Sequence, residues 1–411
     1  MWASETCPAS NGNDVASRGI AAKVLFRTAS ADTWYFTTPT LSINERSAGD
    51  EHSPAVAIDH SDSLALVVFV SDRTLSTLLL GQYINANDGL LHKGNFKVSE
   101  DSEEAIPATP TVAASGSMFS IGWVDAAGPP TLVPVPGATM KVNDDSTRDA
   151  YDPVVMANWR MGSYMIAWTT GDALLEDVYS RHFDATSSYP TYPEAIINAF
   201  TSDTQAYLAG ATTVGFERAD YGRSSKAVFG VAYESDFQDG DSLGIYFGGF
   251  DVSGKKGTAD IRVNDVTAAW QRRAHAVGVP GGTLITYNNF LPSVAAGTNQ
   301  LYGQLLDYDG NKVGATEFTI GAHSYNGDSA DYAAGDGDPS AIGKVVLVAY
   351  STKLASYDTD GYGVAARILV VNADYSVTMF PTGADWHIST AATTGEQYEG
   401  RTAILRDDSF I

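Results

Sequence analysis

Short apolar or small-residue runs that end in an aromatic recur along the chain, separated by polar stretches. They read Leu66-Val67-Val68-Phe69, Ser120-Ile121-Gly122-Trp123, Met165-Ile166-Ala167-Trp168, Gly230-Val231-Ala232-Tyr233, Leu284-Ile285-Thr286-Tyr287 and Leu347-Val348-Ala349-Tyr350. Runs this short, bounded by turn-forming residues, predict strands buried on both faces. A second segment follows most of them, a strand backed by a turn: Leu79 to Asn85, Val178 to Asp184, Ile245 to Asp251, Leu301 to Asp307, Val364 to Val370 and, near the start, Ile20 to Phe26. Turns such as Val252-Ser253-Gly254 and Tyr308-Asp309-Gly310-Asn311 sit where hairpins need them. A third strand ends in Ile or Val and then a small or amide residue: Ile43-Asn44, Val98-Ser99, Val142-Asn143, Ile197-Asn198, Val263-Asn264, Ile320-Gly321 and Ile388-Ser389.

The third marker has seven copies and the first has six, so one aromatic strand is missing. The chain ends supply it: Asp407-Asp408-Ser409-Phe410-Ile411, continued by Met1-Trp2-Ala3-Ser4-Glu5, matches the pattern around Trp168. The prediction is an all-β fold, a seven-bladed β-propeller of four-stranded antiparallel blades closed by a blade shared between the N- and C-termini. A blade cannot bury two apolar faces alone; stacking around an axis buries both, and closure protects the ends. The whole chain, 1–411, is one propeller: blade 1 shared by 398–411 and 1–50, blade 2 51–106, blade 3 107–150, blade 4 151–208, blade 5 209–270, blade 6 271–330 and blade 7 331–397. In the third blade Pro129-Pro130 precedes Thr131 to Val135, which predicts an edge strand that has lost ladder bonds. A pair of β-sandwiches is the competing fold, and a seven-fold marker series fits it poorly.

Charge narrows the partners. Lys+Arg total 25 against Asp+Glu 49, a formal net charge of −24. Such an excess repels phosphate backbones and argues against nucleic acid. No apolar stretch of membrane-spanning length occurs, which argues against membrane insertion. The single cysteine, Cys7, excludes an intrachain disulfide framework. The N-terminus lacks the basic and apolar regions of a signal peptide, so the chain reads as a mature secreted protein or as a module of a longer one.

The repeat resembles the propeller-forming repeats of large secreted bacterial proteins, the hemolysin-type calcium-binding and adhesin-like exoproteins. The residues that carry the resemblance are Asp408-Ser409-Phe410, Ile166-Ala167-Trp168, Leu301-Tyr302-Gly303-Gln304 and Glu317-Phe318-Thr319-Ile320. It covers nearly the whole chain and departs from the pattern in glycine content and in the third blade. It implies an extracellular or cell-surface setting and an adhesive or structural role, and it implies no reaction.

Candidate chemistry is sparse. Asp307, Asp309 and Asn311 place alternate oxygen ligands on one tight turn, as calcium loops do, and Asp236, Asp239 and Asp241 do so on another; neither continues to the glutamate of an EF-hand, and an Asp-Gly hairpin turn explains both better. Calcium is therefore an optional cofactor and none is required. Tyr189 and Tyr192, in the insertion Tyr189-Pro190-Thr191-Tyr192-Pro193, offer rings for a sugar face or a protein partner. Glycoside hydrolysis needs paired carboxylates, which 49 acids supply by chance, while Ser30-Ala31-Asp32-Thr33-Trp34 lacks the glycine of a sialidase Asp-box and occurs once. Arg272-Arg273 stands alone and reads as a solvated face. The histidines have no metal-ligand spacing, and no Gly-x-Ser-x-Gly elbow is present. The expectation is a non-enzymatic extracellular structural or adhesive module that meets a protein or glycan surface, flanking modules or copies of itself. The alternative is a carbohydrate-active propeller, a lectin or a glycoside hydrolase.

Overall fold

The computed structural model describes residues 2–4, 19–27, 34–36, 40–44, 49–59, 64–73, 76–85, 88–99, 107–115, 118–125, 130–135, 140–144, 148–158, 163–172, 175–184, 190, 192–212, 229–251, 260–268, 270–279, 281–290, 300–322, 329–332, 345–352, 362–372, 374–380, 385–389, 397–398 and 401–403. The fold is an all-β propeller of antiparallel blades. Among the described residues the strands make seven sheets of four or five strands and one separate hairpin, Leu25–Arg27 with Trp34–Phe36. We number the sheets along the chain. The first orders its strands Gln397–Tyr398, Trp2–Ser4, Gly19–Ala22, Leu41–Ser42. The second runs Asp50–Asp59, Leu64–Arg73, Ser76–Asn85, Leu90–Lys97. The third runs Pro107–Ser115, Met118–Asp125, Pro130–Val135, Met140–Lys141, and the fourth Ala150–Asn158, Ser163–Asp172, Leu175–Asp184, Ala195–Ile196. The fifth runs Gln205–Thr212, Phe229–Asp236, Leu243–Phe250, Ile261–Arg262. The sixth runs Trp270–Val279, Gly282–Phe290, Gln300–Asp307, Lys312–Ala322. The seventh runs Ser329–Tyr332, Val345–Thr352, Gly363–Val371, Val377–Phe380, with Trp386–His387 also on its third strand.

Several details depart from the sequence reading. The fifth sheet begins at Gln205, ahead of the expected boundary at 209, the seventh at Ser329, ahead of 331, and the first, second, fourth and sixth one residue early. Pro130–Val135 is not an edge strand: it pairs with Met118–Asp125 on one side and with Met140–Lys141 on the other. The fourth strand covers only Thr131 and Leu132, so no partner there calls for an N–H at Pro130 or Pro134.

Alternation within each strand builds the seams. The six marker aromatics, Phe69, Trp123, Trp168, Tyr233, Tyr287 and Tyr350, are all buried, and each points into the cluster shared with the preceding sheet. The next residue in the strand faces the opposite seam, as a period of two requires. Among the described residues seven apolar clusters lie between neighbouring sheets, and one of them joins Val345, Leu347, Val364 and Ile388 of the seventh sheet to Ala21 of the first. Burying one such aromatic contributes roughly 2–3 kcal/mol.

The third marker is explained by backbone accounting. The Ile or Val N–H of Ile43, Val98, Ile197, Val263 and Ile388 donates to the carbonyl at the head of the third strand, namely Ile20, Leu79, Val178, Ile245 and Val364. The next side chain, Asn44, Ser99, Asn198, Asn264 or Ser389, accepts the N–H of that same residue. A small polar or amide side chain thus closes a ladder that the backbone leaves open. Cations and amides then reach back to the preceding sheet: Arg181 donates to the Val142 carbonyl at 2.6 Å, Arg367 to Ile320 at 2.5 Å, Asn95 to Ile43 at 3.0 Å and Lys23 to Ile388 at 2.7 Å.

Candidate functional site at the axial mouth

Each full sheet gathers at one edge the start of its leading strand, the end of its second strand and the start of its third. The register pairs Asp50 with Asp72 and Arg73 with Ser76 in the second sheet, Ala150 with Thr170 in the fourth, Gln205 with Ser235 in the fifth and Trp270 with Phe290 in the sixth. Consecutive leading strands lie side by side, so these edges surround one end of the propeller axis. We call this end the mouth.

Five leading strands carry a bulge at the same place: His52/Ala55, Ala108/Thr111, Tyr151/Val154, Ala206/Ala209 and Arg272/His275. Within them Ser53, Thr109, Asp152 and Arg273 hold φ values of 50°, 43°, 49° and 55°. None is glycine, so each costs conformational energy, of order 1–3 kcal/mol. A bulge bends the strand and re-aims the side chains on either side of it. A recurring left-handed residue therefore presents short polar and charged side chains at the mouth.

The strongest electrostatic feature lies between the fifth and sixth sheets. Glu234, 1% exposed, follows Tyr233 in its strand and so faces the next sheet. Its carboxylate accepts the Arg273 N–H at 2.5 Å and lies 3.7 Å from Nε of Arg272. Burial pushes Glu234 up to about 7, against the downward pull of Arg273 and Arg272. Arg272 also stands over the Trp270 ring, 5.8 Å from its centroid, and Phe290 packs against the same ring at 5.7 Å. Trp270 keeps 36% of its surface exposed. Farther along the same leading strand, burial drives His275 down to about 3, with Arg401 and Arg273 adding to the shift, so its imidazole is neutral. Arg401 follows the Gln397–Tyr398 strand of the first sheet, and its field at His275 brings a third guanidinium to this region. In the second sheet, His52 lies 3.1 Å from Asp72, which also accepts from Thr77 at 2.7 Å. Burial, with Glu176 second, raises Asp152.

The residues singled out in the sequence separate. Asp236, Asp239 and Asp241 do stand at the mouth, on the turn after the second strand of the fifth sheet. Burial and Asp203 raise Asp236, while Asp239 accepts the Asp241 N–H at 3.3 Å and lies 3.4 Å from the Asn264 amide. Asp307, Asp309 and Asn311 lie at the opposite edge, between the third and fourth strands of the sixth sheet. There one Asp307 oxygen accepts the N–H groups of Asp309 and Asn311 at 2.9 and 2.8 Å, and the other accepts the Asn311 amide at 3.0 Å. Both Asp307 oxygens serve the hairpin turn, as Asx-turn chemistry does. Among the described residues no three His, Cys, Asp or Glu side chains gather to hold a metal ion. Tyr189 lies outside the described residues. Tyr192 is 47% exposed, also at the edge opposite the mouth. Arg272-Arg273 is no isolated solvated pair; it is the partner of a buried glutamate, a relation between sheets that sequence distance conceals.

No family model matches the chain, and no curated protein does. Solved structures that align with it include a Trypanosoma rangeli sialidase in complex with sialic acid, 10% identical, covering 84% of this chain and 56% of that one at a TM-score of 0.44. A second is an alpha-L-arabinofuranosidase from Podospora anserina in complex with cellotriose, 10% identical, covering 61% and 87% at a TM-score of 0.35. A third is an exo-1,5-alpha-L-arabinanase from a bovine ruminal metagenomic library, 8% identical, covering 67% and 96% at a TM-score of 0.38.

Proposed function

We propose that the chain is a glycan-binding propeller, a lectin-like adhesive module of the cell surface or extracellular space, and that the mouth is its binding face. The seven sheets then form one closed seven-bladed ring; support comes from the pairing of Ala3 and Ser4 with Tyr398 and Gln397, the Lys23 bond to Ile388 and the cluster shared by the seventh and first sheets. The observation that carries the functional reading is the Trp270 ring at the rim, backed by Phe290 and Arg272. An exposed indole gives a sugar ring a flat apolar face, and guanidinium groups beside it donate to hydroxyl or carboxylate oxygens.

Binding fits this face better than hydrolysis. A glycosidase needs two carboxyl groups flanking the scissile bond, one of them free to move a proton onto it. Glu234 has a neutral-range proton affinity, but its oxygens are turned to Arg273 and Arg272 beneath the surface. Glu234 is a positioning residue that holds the two arginines at the rim. The turn carboxylates serve their own turns, so the reading uses no calcium.

The test is an array of neutral and acidic oligosaccharides probed with the full chain and with Trp270→Ala. Retention of defined glycans by the parent, weakened at least about tenfold in the variant, is the expected result. Absence of retention on every glycan overturns the reading, and release of sugar from a retained glycan overturns its non-catalytic part.

A further inference from the structure

The second sheet holds a hydroxyl, an imidazole and a carboxylate in line at the mouth, and register places them there. Asp72, near the end of the second strand, pairs with Asp50 of the leading strand and with Thr77 of the third. His52 pairs with Val70, two residues from Asp72, so the His52 and Asp72 side chains lie diagonally on one face of the sheet. The Thr77 hydroxyl donates to one Asp72 oxygen at 2.7 Å, and the other oxygen lies 3.1 Å from Nε2 of His52. Nδ1 of the same ring lies 3.0 Å from Oγ of Ser53. In an even strand Ser53 would point to the face opposite His52. The bulge between His52 and Ala55, with the φ of 50° at Ser53, brings the hydroxyl round to the imidazole instead. The left-handed residues Thr109, Asp152 and Arg273 of the other bulges follow Ala108, Tyr151 and Arg272, so among these four the second sheet alone sets a hydroxyl beside an imidazole.

The hydrogen bonds fix the roles. A carboxylate only accepts, so Nε2 carries the ring proton, and in the neutral imidazole Nδ1 is left to accept from the Ser53 hydroxyl. Nucleophile, base and orienting acid then follow one another as nucleophilic catalysis requires. A substrate can reach them: the His52 side chain is 23% exposed, that of Asp72 45%, and Ser53 is half-buried. We propose that Ser53 is the nucleophile of an ester-hydrolysing centre at the mouth, with His52 as its base and Asp72 as the positioning residue. The open rim suits a short acyl group, such as acetyl, on an alcohol. Ser53 Oγ attacks the ester carbonyl carbon while its proton passes to Nδ1 of His52. The C–O bond to the alcohol breaks, the alcohol leaves with that proton, and an acyl–Ser53 ester remains. A water molecule then gives a proton to Nδ1 and attacks the acyl carbon, which releases the carboxylic acid and returns the hydroxyl to Ser53. Solvent at the open rim serves the oxyanion, so the rate gain is the share that a positioned base supplies, about 10²–10⁴-fold. The activity does not rest on glycan binding.

The experiment treats the full chain with a fluorophosphonate, which modifies activated serines irreversibly, and separately with p-nitrophenyl acetate as substrate. Peptide mass spectra are expected to map the phosphonyl group to Ser53. Nitrophenol release should fall roughly 100-fold in Ser53→Ala and in His52→Gln. In Asp72→Asn release should slow at least about tenfold, and the imidazole 15N signals of His52 should show loss of the Nε2–H tautomer, which a merely structural role would not move. A parent chain unlabelled at Ser53 overturns the proposal. So does release unchanged in Ser53→Ala, which would mean that the imidazole attacks the ester by itself. An unchanged tautomer in Asp72→Asn overturns the role given to Asp72. If a variant fails to fold, the position of the label in the parent still decides.

Discussion

The seams of the later sheets differ from those of the earlier ones at a single frame position. At the same frame position the second, third and fourth sheets carry Phe69, Trp123 and Trp168, and the fifth, sixth and seventh carry Tyr233, Tyr287 and Tyr350. The first three rings fill space. Two of the tyrosines also send their hydroxyls to an acid at or near the start of an outer strand, Tyr287 to Glu317 (2.5 Å) and Tyr350 to Asp385, and Tyr233 lies in the field of Asp260. Two of these acids accept an N–H from the tail of the preceding sheet, Asp260 from Ala199 at 2.5 Å and Glu317 from Asp265 at 2.8 Å. Glu194 of the fourth sheet, whose marker is Trp168, accepts the Asp144 N–H at 2.8 Å. The acid is thus the staple between sheets. The tyrosine is its local support, as Tyr287 is for Glu317.

That comparison breaks most visibly at Asp385. Its carboxylate meets both Arg367 and the Tyr350 hydroxyl in a largely buried setting. Asp385→Ala strands a buried guanidinium, and chemical denaturation should register a loss of about 3–5 kcal/mol. A variant as stable as the parent would mean that this buried ion pair contributes nothing. Next comes Glu234, which follows Tyr233 and faces the other seam. Its proton affinity rises from 4.5 unfolded to about 7 folded. The native state therefore holds its proton longer than the unfolded chain, and stability falls as pH climbs from about 4.5 to about 7. The shift corresponds to a difference of about 3 kcal/mol. Glu234→Gln should remove that slope in urea titrations at a series of pH values; an identical slope in parent and variant rules it out.

Smaller effects sharpen the same contrast. Tyr287→Phe keeps the ring and leaves Glu317 bonded to the Asp265 N–H, so thermal unfolding should show a loss of only about 1–2 kcal/mol. The smallest effect belongs to Glu194→Gln, where the bond to Asp144 is exposed and no tyrosine depends on it; about 0.5 kcal/mol is expected from the same assay. If the Glu194 variant cost more than Tyr287→Phe, the ordering of staple and support would be reversed.

Local chemistry that repeats was readable along the chain. The aromatic after an apolar run, the Ile or Val followed by Asn or Ser, and the turns between them recur because most sheets solve the same burial and ladder problem with the same residue types, five of them with the same pair of hydrogen bonds. The aromatics were legible as seam fillers, since a period of two sends them all to one face. The prolines of the third sheet misled because their cost depends on whether a neighbouring strand needs the N–H, which pairing alone reveals. The acidic turns left calcium and a hairpin turn both open in the sequence, because Asp-Gly hairpins and calcium loops use the same oxygens. Only the turn geometry shows that Asp307 spends its two oxygens on the backbone and amide of its own hairpin.

Pairs that meet across a seam were decided by tertiary structure. Glu234 and Arg272 lie 3.7 Å apart although a whole sheet's worth of outer strands separates them in sequence. The same is true of His182 and Phe229. A strand's pattern tells which face a side chain takes, because that follows from the backbone's own period. It does not tell which residue of the next sheet stands opposite, because that depends on how two sheets slide and stack. Burial of Glu234, its proton held to about neutrality, and burial of the His182 imidazole, unpartnered among the described residues, come from that stacking and exist only in the folded protein.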